Sequence, residues 1–258
     1  MSPRLPLAIA SLALTLPAAA ATVTSPPGDG VDGNGQSERP FTRVGDSDGN
    51  RYQQIYSADF FSADGPLQTI DSVAFRPRQG ALGSFIGNSV TFSDITFNLS
   101  TTPRTADTNF PTGLNADLDL NVGLNNTTVF SGPLTLTTDR AFGDTDVEDF
   151  DFRIDFTQEF IYAPATGNLL LEVIIPAGSS VSSNGTNFTQ LAQFTDGFPS
   201  TDGTASANDA DLTDGLSVGS NSTTGAVTQF TTTAVPEPTS LALLGGSLLL
   251  GLRRRRLV

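Results

Sequence analysis

Phe150, Phe152, Ile154 and Phe156 alternate with Asp149, Asp151, Arg153 and Asp155. One apolar and one charged face at a period of two predicts a half-buried β-strand. Ile95, Phe97 and Leu99 alternate with Asp94, Thr96 and Asn98, but Val90 and Phe92 sit on the other parity. That slip near Ser93 and Asp94 predicts a β-bulge. Leu118, Leu120, Val122 and Leu124 form a third alternating set. Leu169 to Ile175 is more continuously apolar and stops at Pro176, as a central strand buried on both faces would. Shorter strand candidates are 52–56, 67–75, 128–130, 134–138, 188–194 and 226–231.

Turn signals separate these runs: Gly65-Pro66, Gly132-Pro133, Asn184-Gly185 and Asp196-Gly197. Before residue 236 only the N-terminal apolar run has the look of a helix. About ten short strands between Gly, Pro, Asn and Asp turns predict an all-β chain, a two-sheet antiparallel sandwich of jelly-roll-like type. A closed barrel is the alternative. A membrane-spanning barrel fits poorly, because the strand faces carry Asp and Arg where lipid would demand apolar side chains and aromatic girdles. Residues 28–50 and 196–221 are rich in Gly, Asp, Ser, Asn and Thr and read as loops or linkers. No internal repeat of 20 to 50 residues is visible.

The two ends carry different signals. Arg4 precedes an apolar run from Leu5 to Leu16, and Pro17 to Ala21 offers small residues, with Ala19 and Ala21 at the −3 and −1 positions of a cleavage site. That order predicts a secretory signal peptide. At the other end come Val235-Pro236-Glu237-Pro238, an apolar run from Leu241 to Leu252, and Arg253-Arg254-Arg255-Arg256. Four arginines hold the last residues on the cytoplasmic side and leave the body outside. Twelve residues at about 1.5 Å reach only about 18 Å, short of a hydrocarbon core of about 30 Å, so length alone makes this short hydrophobic helix interfacial or a marginal transmembrane helix. The prolines around Glu237 keep that stretch extended, and Gly245 and Gly246 each weaken the helix by about 1 kcal/mol relative to Ala.

This tripartite tail resembles the PEP-CTERM sorting signal of Gram-negative and related bacteria. The resemblance implies a partner, a membrane-embedded exosortase. That cysteine-dependent, transpeptidase-like enzyme removes the tail near Pro-Glu-Pro and passes the body to the cell surface or the exopolysaccharide. It also implies transient membrane insertion through the C-terminal segment. The segments 51–56, 98–102, 128–134, 168–173 and 227–230 resemble, in that order, stretches that recur in one group of PEP-CTERM proteins; this supports one domain and assigns no chemistry. The expected organisation is a signal peptide over 1–21, a low-complexity linker over 22–50, a β-sandwich domain over 51–231 and the sorting signal over 232–258.

Composition narrows the chemistry. The 258 residues include 27 Asp plus Glu, 13 Arg, and no Lys, His, Cys or Trp. Imidazole bases, thiolate nucleophiles and Cys/His zinc sites are excluded, and a serine nucleophile has no Lys or His partner. Setting aside Arg4, Arg253 to Arg256 and Glu237 with the ends leaves 8 of 13 Arg and 26 of 27 acids, a charge near −18. Such a polyanion repels phosphate backbones, so nucleic acid and anionic lipid are not expected partners. With no cysteine, the exported fold rests on sheet packing instead of disulfides.

The candidates for a metal are weak. Asp46, Asp48 and Asn50 alternate like calcium ligands, but the glycine and glutamate spacing of an EF-hand loop is missing. Asp144, Asp146 and Glu148 form a denser acidic cluster entering the strand at Phe150. The blander reading of both is a charged, solvated loop, and the expectation is no cofactor. Tyr52 and Tyr56 share a parity and form either a small sugar-binding platform or core. The expected function is a non-enzymatic, exported surface or matrix protein. The alternatives are a carbohydrate-binding module for exopolysaccharide and a carboxylate-dependent glycan hydrolase or lyase.

Overall fold

The computed structural model describes residues 19–25, 35–37, 39–41, 48–76, 89–108, 112–137, 150–183, 193–195, 203–214, 218–223 and 225–236. In chain order the strands are β1 (Ala20–Ser25), β2 (Gly35–Ser37), β3 (Asn50–Tyr56), β4 (Gln68–Phe75), β5 (Ser89–Thr102), β6 (Thr127–Thr137), β7 (Phe152–Tyr162), β8 (Asn168–Ile175), β9 (Val181–Ser183), β10 (Gln193–Thr195), β11 (Thr204–Asp209), β12 (Ser220–Ser222) and β13 (Thr228–Ala234). Three short 3-10 helices join them, at Ala58–Asp64, Leu118–Asn121 and Pro164–Thr166.

Two antiparallel sheets pack together, the sandwich that the alternation predicts. The smaller runs β1-β13-β4-β7, and the larger runs β12-β11-β3-β8-β5-β6 with β9 added on β5; β2 and β10 form a separate ribbon. In β7 the buried Phe152, Ile154, Phe160 and Tyr162 face the core, while Arg153 and Asp155 face water. β8 is central, between β3 and β5, and is buried along almost its whole length. The register of β5 against β6 shifts between Phe92 and Ile95, where the parity slip predicts a bulge. Rings fill the inter-sheet space: Tyr56 meets Phe230 edge-on at 4.9 Å between centroids, and Phe61 meets Tyr162 at 5.2 Å.

Several elements differ from the sequence reading. Leu118 to Leu124 is not a strand. Asp117 caps a 3-10 turn by accepting from the Asp119 amide, so Leu118 is buried while Leu120 and Leu124 point outward. Gly132-Pro133 is not a turn but lies inside β6. The strand is an edge, where a proline without an N–H is tolerated, and Gly132 pairs with Ile95 across from the β5 bulge. The stretch read as a linker over 22–50 contains most of β1, all of β2 and the start of β3, and it inserts Phe41 into the core against Phe75 and Phe92. The stretch over 196–221 supplies β11, paired with β3.

The larger sheet has a second buried layer on its outer face. Ile55, Leu170, Ala205 and Ala207 meet Leu114 and Leu118 there, under the segment that follows β5. Truncating the core ring with Phe230→Ala is expected to cost about 3–5 kcal/mol, read as a lower urea midpoint at unchanged slope.

Candidate functional site

β13 is the last strand described before the Pro-Glu-Pro stretch, and it is not an edge. It pairs with β1 on one side and β4 on the other, with Ala20 opposite Thr233 and Ala234 opposite Gln68. The Val235 amide still donates to the Leu67 carbonyl at 2.9 Å, and Pro236 is exposed. Because β1 and β13 are antiparallel, the residues around Ala21, where the sequence predicts signal-peptide cleavage, and the residues that lead into the C-terminal tail lie side by side. Ala19 and Ala20 are exposed, whereas Val23 and Ser25 are buried and anchor the strand. Thr232 strengthens this junction by donating its hydroxyl to Asp64 at 2.9 Å.

A polar cluster occupies the outer face of the larger sheet. Strand parity puts Arg51 and Gln53 of β3, Glu172 of β8 and Asn98 of β5 on that face, and the covering segment adds Asp119 and Asn121. Glu172 accepts from Arg51 Nε at 2.8 Å, Gln53 Nε2 at 2.7 Å and Asn98 Nδ2 at 2.9 Å. Arg51 also reaches the exposed Asp119 at 2.6 Å, and the Asn121 amide donates to Gln53. Burial pulls the Arg51 pKa down. The charges of Glu172 and Asp119 and their hydrogen bonds outweigh that pull and hold it above its ordinary value. Sequence reasoning missed this cluster, although one signal was there: Glu172 is the single charged residue in an otherwise apolar central run, and a charge in such a strand needs a partner.

Residues 234–256 match the family model described as the PEP-CTERM protein-sorting motif. The chain carries a PEP-CTERM sorting signal. A comparison with curated proteins found no match, and a comparison with solved structures found none either. A PEP-CTERM motif is recognised by exosortase, and it marks an exported protein sorted to the cell envelope. The matched residues begin at Ala234, the last residue of β13, so the signal follows the folded body with no spacer.

Val235 and Pro236 of the PEP-CTERM motif are described. Glu237, Pro238 and Arg253 to Arg256 lie outside the described residues, as does the C-terminal apolar run. The same holds for the expected signal peptide before Ala19. Among the described residues, no helix is long and apolar enough to cross a membrane.

Of the calcium candidates, Asp46, Asp144, Asp146 and Glu148 lie outside the described residues. Asn50 is buried and committed to the chain, with its amide nitrogen donating to the Pro40 carbonyl at 2.9 Å and its oxygen accepting from Arg39 at 3.2 Å. Asp48 precedes it, and its carbonyl accepts from the Leu212 amide. Among the described residues, no group of three or more acids is placed to hold a metal ion. Tyr52 and Tyr56 are both core residues: Tyr52 donates to Gln54, and Tyr56 packs on Phe230.

Glu172→Ala leaves Arg51 half-buried without its inner partner and is expected to cost about 3–5 kcal/mol in urea unfolding. Asp119→Ala, at the exposed end of the same pair, is expected to cost less than about 1 kcal/mol. A second test uses Asp71 on the smaller sheet. Burial raises its carboxyl pKa above the ordinary value, the nearby Glu159 and Asp155 raise it further, and Arg153 opposes them. A raised folded pKa means that its favourable contribution is present below the ordinary carboxyl range and is lost as pH rises through the raised value. Asp71→Asn is therefore expected to unfold at higher urea than the parent at neutral pH, with the difference vanishing on acidification below that range.

Proposed function

We propose that the chain is a non-enzymatic surface or matrix protein: an acidic β-sandwich delivered by exosortase into or through the exopolysaccharide layer, with its tail inserted in the membrane only until it is processed. The observation that carries this reading is the position of the PEP-CTERM motif, whose match starts on the final residue of a strand held on both sides. Cleavage near Pro-Glu-Pro removes the tail without disturbing any described ladder, because among the described residues the last backbone hydrogen bond to the body is made by Val235. Cleavage after Ala21 likewise leaves Thr22 to Ser25 paired with β13. Both processing events then trim a finished sandwich.

The internal use of polar side chains supports a structural role. Glu172 has its carboxylate engaged by Arg51, Gln53 and Asn98, and the two tyrosines of β3 pack inside. A net charge near −18 keeps the released body soluble among polysaccharide chains and attracts divalent cations diffusely.

Intact-mass analysis of the protein recovered from producing cells tests the reading. A species beginning near Thr22 and ending near Val235 is expected. Mature protein that retains the arginine-bearing tail, or export that is unaffected when Pro236 to Val258 is deleted, overturns it.

A further inference from the structure

The end of the sandwich from which both termini leave also carries exposed apolar side chains. Among the described residues the exposed large hydrophobics are Leu120 at 55 %, Leu124 at 110 %, Ile161 at 62 % and Val218 at 58 %. The first three belong to that end. Ile161 pairs with Thr69, level with Thr233 and Ala20, and points outward from the smaller sheet. Leu120 and Leu124 flank a groove of about 630 Å³ on the opposite side of the same end, bounded by Thr101 at the close of β5 and Thr166 of the last 3-10 helix. The two leucines and the isoleucine thus straddle the exit of the tail.

Leu124 is held where it is. The Thr101 amide donates to Asn125 Oδ1 at 2.7 Å, the Asn125 amide donates to the Thr101 hydroxyl, and the Gly123 amide donates to Ser100. A Cβ on Gly123 would stand 1.9 Å from the Thr101 carbonyl oxygen, so only glycine permits this close approach. Leu124 is thus presented beside Leu120 by a rigid loop, and together they form an apolar rim on the groove at this end.

Chain length says which surface. Five residues, Pro236 to Ser240, span at most about 17 Å when extended. The apolar run adds about 18 Å as a helix, against a hydrocarbon core of about 30 Å. With the arginines at the far side and a linker this short at the near side, the exit end of the body is held within reach of the near headgroups. Resting on the reading that the tail inserts, we propose that Leu120, Leu124 and Ile161 dock the sandwich end-on into the bilayer interface while the tail is in the membrane. The surface suits neutral lipid: Asp59 and Asp64 sit at this end, and the Arg104 guanidinium is bound to the Leu120 carbonyl.

The chain has no cysteine, so single cysteines label uniquely. The full chain, bearing bimane at Leu124→Cys, Ile161→Cys, Ala177→Cys or Leu243→Cys, is reconstituted in phosphatidylcholine vesicles containing lipid spin-labelled on the acyl chain. Ala177 is exposed in the turn after β8, at the opposite end of the sandwich. Probes at 243, 124 and 161 are expected to lose most of their emission, and the probe at 177 none. Adding Leu120→Ser and Leu124→Ser is expected to restore emission at 161 while 243 stays quenched. Quenching at 243 with 124 and 161 as bright as 177 overturns the docking and leaves the tail reading intact. An unquenched 243 overturns the tail reading and the docking with it. Quenching at 124 and 161 that needs co-reconstituted exosortase assigns the surface to the enzyme and overturns the lipid proposal.

Discussion

The ladder β1-β13-β4 is the constraint on which the rest of the molecule depends. A strand held between two neighbours must satisfy its backbone groups on both edges, and here the strand in the middle is the last one described before the tail. The smaller sheet is therefore completed only when Ala20 to Ser25 and the residues before the PEP-CTERM motif have met. Antiparallel pairing then sends the two chain ends out together. Their shared exit is a consequence of strand direction, and it places both ends of the described body at one end of the sandwich.

That arrangement leaves little room between the body and the PEP-CTERM motif. Val235 is still tied to Leu67, and the motif match begins one residue earlier. Two prolines follow, Pro236 and Pro238, and neither has an N–H to donate.

On the outer face of the larger sheet, a buried glutamate organises a different kind of contact. Glu172 lies in the most apolar strand, and its charge is tolerable because Arg51, Gln53 and Asn98 converge on it from two neighbouring strands. Asn121 and Asp119 extend the network into the covering segment, so the same groups that neutralise the charge also hold down the loop that presents Leu120 and Leu124. The outward leucines are thereby tied to a rigid sheet.

Local period determined what the sequence could show by itself. Alternation fixes which side of a strand each residue faces, and so β7, β8, the bulge in β5 and the all-β class were legible, as was the sorting signal, whose three parts are contiguous. β1 and β11 were hidden because Ala, Ser and Thr alternate without hydrophobic contrast, although Ala205 and Ala207 are fully covered. Leu118 to Leu124 misled for the opposite reason: apolar alternation persists through a 3-10 turn whose leucines point to different surroundings. Only the tertiary structure decided that Arg51 meets Glu172 across 121 residues, that Phe41 belongs to the core, and that the two ends emerge together. Periodicity reports the face a side chain turns to, whereas the partner it finds there depends on which distant strands the sheets bring alongside.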